Sequence, residues 1–185
     1  MIELGYMAKR VALCPEWLDV SNVRDIYAVC NCISEDFCDY VEYWKHNGYW
    51  FFDSATTILE IAAVERIDLV DASLLYYRGF EQQYDANRRA WTDYPANPDV
   101  VTNIVLPTNE SILGFDIVSY SMQNSPEHSP LSCNHLAADV TVNEHCLIES
   151  LDYAIDCLEN GVFDNSEPGP YRIIAVSSIE WPCFQ

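Results

Sequence analysis

The sequence predicts a single α+β domain in which one mixed or antiparallel sheet carries about three helices. Its 185 residues are the usual size of one domain. Half of the residues are hydrophobic and 13% are aromatic, which is enough for a packed core. Strand and helix patterns follow one another without the strict βαβ alternation of a parallel sheet. The domain is expected to cover residues 1–185, with residues 1–7 as a candidate disordered extension.

The N-terminal half predicts two strands and two helices. Residues 9–14 and 25–33 are β-rich and mostly apolar, as in buried strands. A helix over 35–46 follows Ser34, a good N-cap residue, and ends before an Asn-Gly pair. A second helix over 55–65 is apolar on most of its surface, so we expect it to be largely buried. The apolar face of the first helix consists of Phe37, Tyr40, Val41 and Trp44.

The C-terminal half predicts mainly strands and one clear helix. The helix covers 144–160, because Asn143 can cap it, apolar residues recur at helical spacing, and Gly161 can end it. Residues 85–99 and 123–135 contain prolines and predict loops. The last strand follows a Glu-Pro-Gly-Pro turn at 167–170 and is expected to lie inside the sheet. The predicted strands are 73–83, 100–106, 112–122 and 171–179.

The strong negative charge of the chain limits the kinds of partner that we expect it to bind. The chain has 29 acidic and nine basic residues, a net charge of −20. Residues 90–185 hold 14 of the acids and a single base, Arg172. Such a surface repels nucleic acid and anionic membranes and attracts basic proteins. Direct nucleic-acid binding and membrane binding are therefore not expected.

Two predicted helices carry one-sided rows of acids with no interleaved Lys or Arg. Like charges at these spacings destabilise a helix by about 0.2–0.5 kcal/mol per pair, so stability alone does not explain them. Each row is either a solvated helix face or a docking face for a cationic partner. The first row is Glu35, Asp39 and Glu42, and the second row is Glu149, Asp152, Asp156 and Glu159.

The eight cysteines are expected to be reduced thiols in a cytoplasmic protein. The N-terminus shows no signal-peptide pattern, and no run approaches the ~18 apolar residues that span a bilayer. Cys30 and Cys32 would share one face of the predicted strand, which packing explains. A zinc site could use Cys133, His135, His145 and Cys146, but their spacing is unusual, so neither a metal nor another cofactor is expected.

A small cysteine-dependent enzyme is the first alternative in function. Cys133 lies in a predicted loop, and a nearby histidine could serve as its base. The sequence contains no nucleophile elbow, phosphate loop, HExxH pattern or dinucleotide fingerprint beside it. The candidate partners of Cys133 are His128, His135, His145 and Asp139.

The preferred hypothesis is a non-enzymatic inhibitor of the immunity type, which covers the active site of a basic toxin or nuclease. Enzymes that cleave nucleic acid need cationic clefts to hold phosphates. An inhibitor whose carboxylates match the shape of such a cleft would associate with it rapidly. The complex is expected to be 1:1, or 2:2 if the chain forms a homodimer. A DNA mimic is the second alternative, distinguished by carboxylates spaced like duplex phosphates along an elongated face.

Overall fold

The computed structural model describes residues 1–37, 46–120 and 125–182, which form one large antiparallel sheet, a small two-stranded sheet and three helices. The large sheet has the order β4-β1-β5-β8-β7, and β6 pairs with the far end of β5. The predicted α+β class is thus confirmed, with more strand than expected. The strands are β1 (Ile2–Arg10), β2 (Ala12–Leu13), β3 (Asp25–Ile26), β4 (Glu35–Asp36), β5 (Ser73–Asp85), β6 (Ala90–Asp93), β7 (Ser111–Ser119) and β8 (Tyr171–Ile179).

The centre of the sheet is formed by β5 and β8, the two strands with the longest apolar stretches. β8 lies between β5 and β7 and is buried from Tyr171 to Ser177, so its prediction as an inner strand over 171–179 is confirmed. β5 is buried from Leu74 to Tyr77 and pairs with β1 on its other side. An inner strand faces core on both sides, which is why these segments lack a polar alternation.

Three helices accompany the sheet: α1 (Ala55–Glu65), α2 (Pro130–Cys133) and α3 (Leu151–Glu159). α1 has the predicted bounds, because the Ser54 hydroxyl accepts a hydrogen bond from the backbone N–H of Thr57 at 3.1 Å. The expectation that α1 is largely buried is wrong. Only Ala55, Ile58 and Ala62 are buried, along one face of the helix. No helix among the described residues has the length and apolarity needed to cross a bilayer.

The core consists of two groups of apolar side chains. One group joins α1 to the β1 side of the sheet and contains Leu4, Phe52 and Ile58. The other group joins α3 to β7 and β8 and contains Ile117 and Leu158. Each amphipathic helix therefore covers its own part of the sheet, which leaves the outer side of each helix open to solvent.

Several N-terminal predictions need correction. Residues 1–7 do not form a disordered extension, because Ile2–Arg10 is strand β1, with Leu4 fully buried. Within 25–33 only Asp25–Ile26 is a strand, paired with β2, and the residues after it turn away as a loop. The helix predicted over 35–46 does not begin at Glu35, since Glu35–Asp36 is edge strand β4 opposite Arg10 and Lys9. Its remaining part, 38–45, lies outside the described residues.

The predicted helix over 144–160 is shorter in the structure. The Asn143 side-chain oxygen accepts hydrogen bonds from the backbone N–H groups of His145 (3.0 Å) and Leu147 (3.2 Å), which closes a turn instead of starting a helix. Ile148 then pairs with Phe115 of β7. This approach requires Gly114, whose φ is 151° and where a Cβ would lie 2.7 Å from the Leu147 Cβ. The helix begins only at Leu151, after Ser150 has capped it.

Two further expectations differ from the structure. Residues 100–106 form no strand, although they are apolar enough to predict one. The predicted loop 85–99 contains β6, which forms a hairpin with the end of β5. In this hairpin Trp91 packs against Phe80 and Tyr84, and these contacts between aromatic rings stabilise the strand. The prolines later in the segment had led us to predict a loop.

Candidate functional site

Helix α3 presents part of the predicted C-terminal acid row to solvent. Asp152 and Asp156 lie one turn apart and are exposed, and the Tyr153 ring between them in sequence is 36% exposed. Glu149 is also exposed, just before the Ser150 cap. None of the three carboxylates has an ion-pair partner among residues 1–37, 46–120 and 125–182.

Glu159 differs from the rest of its row. Its side-chain oxygen accepts a hydrogen bond from the Trp91 indole N–H at 2.8 Å, and its backbone oxygen accepts one from Arg89 at 3.0 Å. Arg89 also lies 3.8 Å from the carboxylate of Asp164. The end of α3 is therefore tied to the β5–β6 hairpin, and Glu159 is not part of an open acid surface.

Two shallow surface depressions lie beside the segment that leads into α3. Glu144 and Glu149 line one of them, and Asp139 lines the other. The two depressions share Asn22 and Val142 in their walls. The Tyr153 hydroxyl accepts a hydrogen bond from the backbone N–H of Thr141, in the wall of the second depression, and so connects α3 to it. We call this surface the acidic face; it comprises Asp139, Glu144, Glu149, Asp152 and Asp156.

The N-terminal acid row does not form a helical face that can be described. Glu35 is exposed on β4, at the edge of the sheet. Asp39 and Glu42 lie outside the described residues. Of the seven predicted contact residues, the structure places Asp152 and Asp156 one turn apart on α3 and Glu149 two residues before the helix.

Two of the nine basic side chains are buried and do not contribute to the exposed surface. Lys9 is fully buried, and Arg172 is 3% exposed. The Arg172 guanidinium lies between the rings of Tyr94 and Tyr120, 3.6 and 3.8 Å from their centroids. Because Arg172 is the single Lys or Arg of residues 90–185, that half of the chain adds no exposed basic side chain to the protein surface.

A second site, which the sequence did not predict as a unit, brings three cysteines together. The Sγ atoms of Cys30 and Cys133 are 3.2 Å apart, and the Sγ atoms of Cys30, Cys32 and Cys133 all lie within 4.8 Å of one another. We call these three residues the thiol cluster. The Nδ1 atom of His128 is 3.4 Å from the Cys32 Sγ. Thiol and imidazole groups are the side chains that zinc prefers, so these residues could hold a metal ion.

Two loops supply these residues. Cys30 and Cys32 lie in the loop after β3, whereas His128 and Cys133 follow β7. The second loop returns along β7, where the backbone N–H of Ser119 donates to the carbonyl of His128 at 2.8 Å. Helix α2 then begins after Ser129 and carries Cys133 at its last position.

A buried polar network fixes the two loops against each other. The Lys9 ammonium donates to the carbonyl oxygens of Ala28 (2.6 Å), Val29 (3.1 Å) and Cys30 (2.6 Å), so all three of its protons are used. The buried Asp116 carboxylate accepts from the backbone N–H of Val29 at 2.8 Å and from the Ser129 hydroxyl at 2.6 Å. The Ser129 oxygen in turn accepts from the backbone N–H of Cys30 at 3.2 Å.

Thiol hydrogen bonds set the protonation of the thiol cluster. Bonds from Cys133 and Cys32 lower the pKa of Cys30 well below its ordinary value, and the Lys9 charge acts in the same direction. For Cys32 the bond with Cys133 lowers the pKa, but the bond with Cys30 and burial outweigh it and raise the pKa to about 12. The bond with Cys30 also raises the pKa of Cys133. Cys30 is thus the one thiol of the three whose pKa is lowered.

The four residues weighed above as a zinc set, Cys133, His135, His145 and Cys146, are not brought together in the structure. His135 is exposed and lies beside Trp17, with ring centroids 6.2 Å apart. The His145 Nδ1 is 2.6 Å from an Asp25 carboxylate oxygen, which ties the turn at 143–148 to β3. Cys146 is buried, and burial raises its pKa to about 12. Packing on a common strand face is also the wrong explanation for Cys30 and Cys32, because these residues lie in a loop.

Sequence reasoning missed the contribution of His128, Cys30 and Cys32 to one site. The usable signals were the close Cys30–Cys32 spacing and the four residues between His128 and Cys133, a spacing within the range of zinc-binding pairs. Comparisons of the chain with protein-family models, with curated proteins and with solved structures found no match. Function must therefore be inferred from the acidic face and the thiol cluster themselves.

Proposed function

We propose that this chain is a non-enzymatic inhibitor that binds a basic protein, such as a toxin or nuclease, and occludes its active site. The observation that carries this proposal is the acidic face. Three of its five exposed carboxylates line two depressions, and four of the five have no ion-pair partner among residues 1–37, 46–120 and 125–182. Glu144 is the one carboxylate of the acidic face with an ion-pair partner among the described residues, because its side chain lies 3.6 Å from the Arg24 guanidinium.

The chemistry of the acidic face suits a cationic active site. A nuclease holds phosphates with Lys and Arg side chains, which leave a positively charged cleft when substrate is absent. Carboxylates on an inhibitor raise the association rate with such a cleft. Tyr153 and Ile112, which are 36% and 60% exposed at the acidic face, can supply the apolar contacts that slow dissociation.

The shape of the acidic face favours an enzyme inhibitor over a DNA mimic. α3 has nine residues, so the helix is only about 13 Å long. Duplex phosphates extend in regular rows over a much greater length. Three of the carboxylates here line depressions and the other two lie beside the exposed Tyr153 on α3, as expected for a compact docking site.

The proposal is tested with two variants of equal charge. The first combines Glu149→Gln, Asp152→Asn and Asp156→Asn on the acidic face. The second combines Glu60→Gln, Glu65→Gln and Asp68→Asn, three exposed acids on and after α1. Each variant and the unchanged chain are immobilised, and basic proteins retained from a lysate of the native host at low salt are identified and assayed for nuclease or toxin activity.

We expect one basic protein to be retained and inhibited by the unchanged chain and by the α1 variant, with at least tenfold weaker binding to the α3 variant. Its association rate should fall on the order of tenfold between low and high salt. Equal loss in both variants would show that net charge alone attracts the protein. A retained protein whose activity is not inhibited would also contradict the proposal.

A further inference from the structure

We propose that Cys30, Cys32, Cys133 and His128 bind one zinc ion as a closed, tetrahedral structural site. This inference is independent of the acidic face. It assigns a role to the site that brings together groups from two loops more than ninety residues apart in sequence.

The distances between the donor atoms fit one ion. A zinc–sulfur bond of about 2.3 Å in a tetrahedron places two sulfurs about 3.8 Å apart. The three sulfurs of the thiol cluster lie between 3.2 Å, for Cys30 and Cys133, and 4.8 Å from one another. A sulfur and an imidazole nitrogen on zinc would be separated by about 3.5 Å, and the Cys32 Sγ and the His128 Nδ1 are 3.4 Å apart. Movements of up to about 1 Å among the sulfurs, with the His128 ring turned towards Cys30 and Cys133, would complete the tetrahedron.

The number and kind of donors favour a structural site. Structural zinc sites are filled by four protein ligands, and three cysteines with one histidine are one of the common sets. Each loop contributes two donors, so the ion would join the loop after β3 to the loop after β7. Three thiolates, a neutral imidazole and Zn²⁺ give a net charge of −1, which the buried Lys9 ammonium can balance where it contacts the Cys30 carbonyl.

The surroundings of the four residues resemble the outer shell of a metal site. Hydrogen bonds that orient the ligands are a regular part of such sites. Here Ser129 accepts from the backbone of Cys30 while it donates to Asp116, which also holds Val29. The two ligand loops are thus fixed by one buried carboxylate before any ion binds. A surface group of cysteines that met only by chance would not require this scaffold.

A disulfide between Cys30 and Cys133 is the competing explanation of their short separation. It would account for two of the four groups. It would leave unexplained why the Cys32 thiol lies with the same pair of sulfurs and against the His128 Nδ1. One metal ion accounts for all four.

The experiment measures zinc in the full chain purified under reducing conditions without added metal, by mass spectrometry of the metal content. We expect about one zinc per chain. Cys32→Ser, Cys133→Ser and His128→Asn should each reduce zinc affinity at least tenfold. The matched controls are Cys14→Ser and His135→Asn. The first replaces a thiol outside the cluster, and the second replaces an exposed histidine with φ 63°, a backbone conformation that Asn adopts readily. Both controls should retain zinc.

A second readout does not depend on the folding of the variants. In the unchanged chain, Cys30, Cys32 and Cys133 should resist alkylation until a chelator is added, while the labelling of Cys14 should not depend on the chelator. Cobalt added to the metal-free protein should give the d–d spectrum of a tetrahedral thiolate site. Metal-free protein with reduced thiols, a Cys30–Cys133 disulfide in the peptide map, or rapid labelling of Cys133 in the metal-containing protein would each overturn the proposal.

Discussion

The acidic face and the thiol cluster differ in where their polar groups lie: those of the acidic face are exposed, and those around the thiol cluster are buried. On the acidic face, carboxylates point into solvent, where each charge is hydrated and costs the fold little. Around the thiol cluster, Lys9 and Asp116 are withdrawn from solvent, with 0% and 1% of their surface exposed. A buried charge is tolerated only when it is well paired or hydrogen-bonded, so this second region must be assembled accurately if the chain is to fold at all.

We therefore expect the acidic face to contribute to partner binding and the buried network around the thiol cluster to contribute to stability. Substitutions of single acids on the acidic face should alter binding and leave the fold intact. Substitutions in the network around the thiol cluster should alter stability first, because each member satisfies groups on two loops. Three measurements of stability test this difference between the two regions.

The largest effect is expected for Lys9→Met. The methionine side chain has a similar length but cannot donate to the carbonyl oxygens of Ala28, Val29 and Cys30, which would remain buried without their donor. We expect the free energy of unfolding to fall by about 3 kcal/mol, measured by urea denaturation. Arg10→Met is the matched control, since Arg10 donates to the Asp68 carbonyl at an exposed site and should cost less than about 1 kcal/mol. Equal losses in the two variants would remove the distinction.

The next effect is the pH dependence that Asp116 introduces. Burial raises the pKa of Asp116 to about 7, although the bonds from Ser129 and Val29 act in the opposite direction. Between about pH 4 and pH 7 the Asp116 carboxyl is therefore protonated in the folded chain and ionised in the unfolded chain, where its pKa is near 4. The stabilisation from this proton is fully present below pH ~4 and is lost as the pH rises through 7.

Asp116→Asn isolates this contribution, because an amide keeps the acceptor oxygen but does not titrate. Between pH 5 and pH 8 the unchanged chain should lose on the order of 2 kcal/mol more stability than Asp116→Asn does. Urea denaturation of both proteins at the two pH values measures the difference and cancels the repulsion among the other acids. Parallel pH profiles of the two proteins would show that Asp116 stays ionised in the folded chain. The Asp116 network would then carry an ionised carboxylate at both pH values, as the acidic face does.

The same contrast explains how much could be predicted from the sequence. α1 and β8 were predicted with the correct bounds because their signals are local: the Ser54 cap and an unbroken apolar run. The helix at 144–160 was predicted too long, because the Asn143 side chain closes a turn as readily as it caps a helix. Asp152 and Asp156 stay one turn apart on the shorter α3, whereas Glu149 lies before the helix, and the role of these acids in binding a partner stays a prediction.

The thiol cluster could not be found in the same way. Cys30 and Cys133 are 103 residues apart, and neither loop alone has a recognised ligand pattern. Their meeting depends on β1 and β7 bringing Lys9 and Asp116 under the two loops, which is a property of the sheet. Lys9 itself resembled an ordinary polar residue at the start of a short strand. Its burial follows from three carbonyl acceptors that no sequence pattern indicates.

The smallest effect, and the one with the opposite sign, is expected for Asp156→Asn. Asp156 repels Asp152 and Glu159 on the same helix and lies towards the negative end of the α3 dipole, whereas Asp152 lies in the favourable first turn. Asparagine has a similar helix propensity, so its main effect is to remove charge. Urea denaturation at low salt should show a gain of about 0.5 kcal/mol that disappears at high salt. A loss of stability would mean that Asp156 has a structural partner, and that α3 is not a free surface. A gain accompanied by weaker binding of the basic partner would show that the chain retains this acid for recognition at the expense of stability.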